Sequence, residues 1–197
     1  MRHKAWKIAL PTAIGIGLLI GGLIAFQPFA AQSEQPEQDE MIVLPDWAST
    51  ELYDVVTGEL FRISDFAGKP ILIESFAVWC STCLRQQKEM ARLIELAGDA
   101  IVHVSLDTDP NEDIDKVLSH TQRHEFEWLF SVAPIEMTQA LIDEFGLTVV
   151  NAPRAPVILI DADGNARLLP NGVKTAEELL EEIGELPESP AEDGENP

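Results

Sequence analysis

Cysteine is scarce in this chain: Cys80 and Cys83 are the only two among 197 residues. A four-cysteine zinc site is therefore excluded, and any zinc site would need histidine or carboxylate to complete about four ligands. Basic residues are also few, 13 Lys and Arg against 34 Asp and Glu. All of the acids and only ten of the bases lie beyond residue 33, which excludes a polyanion such as nucleic acid as partner. Such a charge excess solvates a surface, and a high-salt habitat would also select it. There is no internal repeat, and the length leaves room for one domain with appendages.

Only one long stretch is free of charge, Ile8 to Phe26, close to the roughly 20 apolar residues that a helix needs to cross a bilayer core. It is longer than the apolar region of a cleaved signal peptide, about 7–15 residues, so residues 8–30 read as a retained transmembrane anchor. Arg2, Lys4 and Lys7 precede it, which keeps residues 1–7 cytoplasmic and directs the rest of the chain outward. Residues 31–41 have the polar, proline-bearing composition of an acidic linker, and residues 186–197 that of a disordered acidic tail. The expected domain is residues 42–185.

Within it the apolar period changes repeatedly. Residues 52–56 and 59–63 flank Gly58 and predict a small hairpin. Ile71-Leu72-Ile73 opens an apolar run expected of a strand buried on both faces. Leu84, Met90, Leu93, Ile94 and Leu96 recur at helical steps, and Gly98 supplies a stop. A strand over 101–106, helices to His124 and over 136–145, an extended piece at 128–130, a hairpin of 157–160 with 166–169, and a helix opened by the Thr175/Glu178 box complete the pattern. Strands alternating with helices, closed by a hairpin and a helix, predict an α/β fold with a mixed central sheet covered on both faces.

The two thiols can form a redox couple, half of a metal site or a structural clip. At a strand-to-helix junction, Cys80 stands where unpaired amides and the helix dipole stabilise a thiolate, which makes it the natural nucleophile. Cys83 lies one turn on, placed to displace a mixed disulfide as the resolving thiol. A clip closing so small a loop restricts the unfolded chain little. His120 and His124 have metal-compatible spacing but read as solvated helix-face residues, and His103 falls on a buried strand, so no metal and no bound cofactor is expected. Glu74, inside the apolar run, would have its pKa raised by burial and could carry a proton for Cys83.

The residues Asp65-Phe66-Ala67-Gly68-Lys69-Pro70, Phe76-Ala77-x-Trp79-Cys80-x-x-Cys83, Val104 to Pro110 and Ala155-Pro156-x-x-x-x-Asp161-x-x-Gly164 resemble the thioredoxin superfamily. Its membrane-anchored TlpA/ResA-like thiol–disulfide oxidoreductases are the nearest match, over residues 44 to 184. The resemblance implies a thioredoxin-like fold, a Cys80–Cys83 redox pair with Glu74 beneath it, and a cis Pro156 that leaves the backbone of Ala155 free to meet an extended substrate, with Trp79 beside it. It also implies exported protein substrates with disulfides or dithiols and a membrane redox partner. Ser81-Thr82 between the cysteines, and Gln86 where many relatives carry a glutamate, depart from the pattern, so redox poise does not carry over and Glu74 is the one acid assigned. The rivals are a copper or zinc chaperone using the pair as soft ligands, and a peroxiredoxin-like peroxidase, which lacks here its threonine and proline before the cysteine.

Overall fold

The computed structural model describes residues 42–184 and 186. The expected anchor, linker and tail lie outside them, apart from Leu186 at the start of the tail, and among the described residues no helix is long and apolar enough to cross a membrane.

Strands β1 (Leu52–Tyr53) and β2 (Leu60–Phe61) form the expected antiparallel hairpin, with Gly58 at φ 81° in its turn. Asp54 holds the turn together, accepting from the amides of Val56 and Thr57. Its Oδ1 also accepts from Phe130 N, and Val55 N donates to Phe130 O, which docks the hairpin on the main sheet.

Five strands make that sheet: β3 (Ile71–Phe76), β4 (Val102–Asp107), β5 (Leu129–Val132), β6 (Val157–Ile160) and β7 (Ala166–Leu168). Their order is β5-β4-β3-β6-β7. β3 and β4 are parallel and joined through helix α1 (Ser81–Ala97), and β4 and β5 are parallel and joined through α2 (Ile114–His124). Helix α3 (Ile135–Phe145) precedes β6, which runs antiparallel to β3, and α4 (Ala176–Ile183) closes the chain behind the capping box Thr175/Glu178. Each of these elements falls within a few residues of its sequence expectation.

The alternation of β3 divides the core. Ile71 and Ile73 join Val104, Leu106, Ile158 and Ile160 against Met137 and Leu141 of α3. Leu72 points the other way, with Val157 and Leu159, onto Met90 and Leu93 of α1 and Leu179 of α4. Each such fully buried side chain contributes about 1.5–3 kcal/mol of transfer free energy. Phe76 carries the second face to the cysteines, packing with Cys80, Cys83, Val117 and Phe130. All six residues of β3 are buried, and Glu74 is the one charged residue among them.

Gly164, in the β6–β7 turn, is required twice over. Its φ is 92°, and a Cβ there would stand 2.8 Å from the carbonyl oxygen of Val43.

Candidate active site

Cys80 caps α1. Its backbone is extended (φ −83°, ψ 104°), and its Sγ accepts from Cys83 N at 3.1 Å. The chain turns helical here because the apolar run ends at Trp79 and the period-3.6 pattern begins at Ser81. The two cysteines are joined in a disulfide with Cα atoms 5.3 Å apart, within the usual span of such bonds. Cys80 keeps 4% of its surface open and Cys83 none. Cys83 Sγ lies 3.1 Å from the carbonyl oxygen of Ala152, to which the reduced thiol can donate.

A groove of about 470 Å³ runs beside the pair, lined by Ala77, Trp79, Asp109, Leu147, Ala152 and Pro153 among others. Trp79 stands on its rim, 62% exposed, held by a 2.6 Å hydrogen bond from its indole Nε1 to Asp109 Oδ2. That bond, with those from Asn111, holds the Asp109 carboxyl below its usual range.

Glu74 is fully buried on the α1 face, directly across from Val157 of β6 and Ser105 of β4. Desolvation pushes its pKa well above the ordinary 4.5, while Gln87, the Ser105 hydroxyl and the Lys174 ammonium favour its ionised form. Ser105 Oγ donates to Glu74 Oε2 at 3.3 Å and lies within 3.1 Å of Trp128 Nε1, which donates to it. Neither Glu74 Oε1 nor Gln87 Nε2 meets strict hydrogen-bond geometry with any described residue. Gln87 Oε1 sits 2.8 Å from His120 Nε2.

Three expectations change here. Pro156 is not cis: the structure has no cis peptide bond among its described residues. The residue before it, Ala155, is left-handed at φ 45°, ψ 59°. The second change concerns His120, which is buried rather than solvated, packed against Phe76 and drawn by desolvation to a pKa of about 4. The third is that the backbone of Ala155 is not free to meet a substrate, because its N–H donates to Ala152 O and its carbonyl accepts from Lys174 Nζ. Asp107, at the end of β4 and level with Phe76, is raised to about 8 by burial and by the carboxyl of Glu112, whose Oε2 accepts from Val78 N at 2.7 Å.

Neither Asp107, at a strand end before a turn, nor Lys174 stands out in the sequence as a site residue. The signal available for Asp107 was its place at the end of a buried strand, level with the cysteine junction. Lys174 carried none, because the partners that tie it to the site, Ala155 and Gln86, are 19 and 88 residues away.

The solved structures that resemble this one share its fold. A secreted Mycobacterium tuberculosis disulfide oxidoreductase, described as homologous to E. coli DsbE, aligns with a TM-score of 0.56 at 15% identity, over 70% of this chain and 96% of that one. A thioredoxin-family thiol:disulfide interchange protein from Chlorobium tepidum gives 0.57 at 19% identity, over 69% and 91%. BsSco, a member of the Sco family of cytochrome c oxidase assembly proteins, gives 0.53 at 15% identity, over 68% and 88%. No curated protein sequence matches. The Redoxin family profile matches residues 43–182, from before the hairpin to the last turn of α4. With that match over most of its length and a C-x-x-C pair at the head of α1, the chain belongs to the Redoxin family and is a thiol–disulfide oxidoreductase.

Proposed function

We propose that this protein exchanges electrons with disulfides or dithiols of exported proteins, on the outer side of a membrane to which residues 8–30 tether it. The observation that carries the chemistry is the unequal placement of the two sulfurs. Cys80 keeps 4% of its surface exposed at a helix N-terminus with an amide on its sulfur, and Cys83, one turn on, keeps none.

In the reducing direction, the Cys80 thiolate attacks one sulfur of a partner disulfide, that bond breaks, and the departing partner sulfur takes up a proton. Cys83 gives its proton to the Glu74 carboxylate and attacks Cys80 Sγ. The mixed disulfide breaks, the intramolecular one forms, and the second partner thiol leaves with a proton returned by Glu74. Two electrons pass from the cysteine pair to the partner, and a membrane redox partner restores them. The same steps run backward as an oxidase, and the potential of the pair relative to its compartment sets the direction. Trp79, on the rim of the groove, flanks the approach of the partner's extended segment, whereas the backbone of Ala155 and Pro156 is already engaged, by Ala152 O and Lys174 Nζ at Ala155 and by Ser75 N at the Pro156 carbonyl. The apolar run at 8–26 and the bases before it support the location.

The reading is tested by replacing Cys83 with Ser in cells and isolating what stays linked to Cys80. Exported proteins released by reductant are expected, and an absence of any linked protein would refute it. The chaperone alternative draws on the likeness to BsSco. Among the described residues, no group of three or more His, Cys, Asp or Glu side chains converges to hold a metal. That alternative predicts stoichiometric copper or zinc binding by the reduced protein, without trapped partners.

A further inference from the structure

Lys174 is a buried cation without an ion pair. It is 7% exposed, and among the described residues no carboxylate lies within salt-bridge distance of its Nζ, which donates instead to the carbonyls of Ala155 at 2.9 Å and Gly172 at 2.6 Å. Burying an ammonium on carbonyls alone is unfavourable unless the position is held for another reason.

The surroundings supply one. Lys174 is clasped from α1 by Gln86, three residues beyond Cys83: Gln86 Nε2 donates to Lys174 O at 3.1 Å, and Lys174 N donates to Gln86 Oε1 at 2.8 Å. Gln86 is itself fully buried. Gly172 N donates to Arg154 O at 2.8 Å, so residues 172–174 form a strap along residues 154–155. The carbonyl that Lys174 grips belongs to Ala155, left-handed without being glycine, a conformation that persists only where the surroundings impose it. Val157, two residues on, is the cross-strand partner of Glu74. The strap therefore holds its ammonium on the Ala155 carbonyl, two residues from the cross-strand partner of Glu74, and ties down residues 154–155 next to Ala152, whose carbonyl meets Cys83 Sγ.

We propose that Lys174, locked by Gln86, is a positioning residue of the redox site: it fixes the Ala155 carbonyl and supplies the positive charge against which Glu74 ionises. This rests on the role given to Glu74 above. The groups facing Glu74 are Gln87 of α1, Ser105 of β4 and Lys174, with His120 of α2 behind Gln87 and His103 two residues from Ser105 along β4. Glu178 and Glu182 of α4 face Lys174 from outside.

The test needs no substrate, so it is independent of whether exported proteins are the partners. In the oxidised full chain, the infrared band of the protonated Glu74 carboxyl is followed against pH and assigned by its loss in Glu74→Gln. Lys174→Met is expected to raise the midpoint so that Glu74 becomes about tenfold the weaker acid, one pH unit. Gln86→Met, which keeps the ammonium but frees the strap, is expected to raise it less and to increase amide exchange at Ala155 and Gly172. A midpoint in Lys174→Met within twofold of the parent overturns the proposal. Should that variant not fold, an unmoved midpoint in Gln86→Met does so.

Discussion

The two faces of one sheet differ in kind. On the α3 side the strands present Ile71, Ile73, Val104, Leu106, Ile158 and Ile160, with buried Ser75 and Ser131 and no ionisable group. On the α1 side, interleaved with Leu72, Phe76 and Leu159, the same strands present Glu74, His103, Ser105 and Asp107, and the covering elements add Gln86, Gln87, His120 and Lys174. Strand pleating makes the separation possible, since successive residues serve opposite faces. One face carries packing, and the other accepts the desolvation of acids and bases that a redox pair can use.

The comparison breaks most readily at the apolar face. Ile73→Ala should lower unfolding free energy by about 2–5 kcal/mol, read by denaturant titration, while the pH dependence of thiol exchange in the remaining folded protein keeps its shape. A changed pH profile would show that the faces are not independent.

Substitution on the polar face should act in the opposite sense. Glu74 holds its proton more tightly folded than unfolded, so its contribution to stability is whole below the ordinary 4.5 and is lost as pH rises through the raised folded value. Asp107 acts with the same sign between 3.8 and about 8. His103 and His120, both lowered to about 4, run the other way between 6.5 and 4, and Lys174, lowered to about 8, does so between about 8 and 10.5, so the informative window lies between pH 6.5 and about 8. There Glu74→Gln should flatten the decline of stability and be the more stable protein at pH 8. It should also slow disulfide exchange near neutral pH by about 10²-fold, the loss of one proton-transfer group. A stability curve parallel to the parent's would refute the assignment.

The smallest effect belongs to the rim. Asp109→Asn weakens the acceptor of the Trp79 indole, and it should lower kcat/KM for a protein disulfide by about two- to fivefold, about 1 kcal/mol or less, with stability unchanged within about 0.5 kcal/mol. Trp79 fluorescence in the two redox states would sharpen the reading.

Much of this was legible in the sequence because it is local. The hairpin about Gly58, the strand at 71–76, the helix starting at Ser81 and the box at Thr175 each follow from period, turn residue or cap within one segment. Glu74 was legible as the lone acid in an apolar run. What was not legible joins distant segments: the Gln86–Lys174 clasp spans 88 residues, Gln87 meets His120 across 33, and Asp107 owes its raised pKa first to burial under the tertiary fold and then to a loop carboxyl. Composition gives a buried histidine and a surface histidine the same letter, which is why His120 reads as solvated. Pro156 was expected to be cis from the resemblance and is trans, while the unusual backbone lies at the preceding Ala155, which is left-handed.

Docking of the hairpin reaches beyond the fold itself. β5 is an outer strand, and its Phe130 backbone groups are occupied by Val55 and by a carboxylate rather than left bare. A neighbouring polypeptide seeking to add itself as a sixth strand finds no open ladder there, and on the far side meets only the three residues of β7 with charged Arg167 among them. The margin of the molecule is thus guarded against cross-β growth.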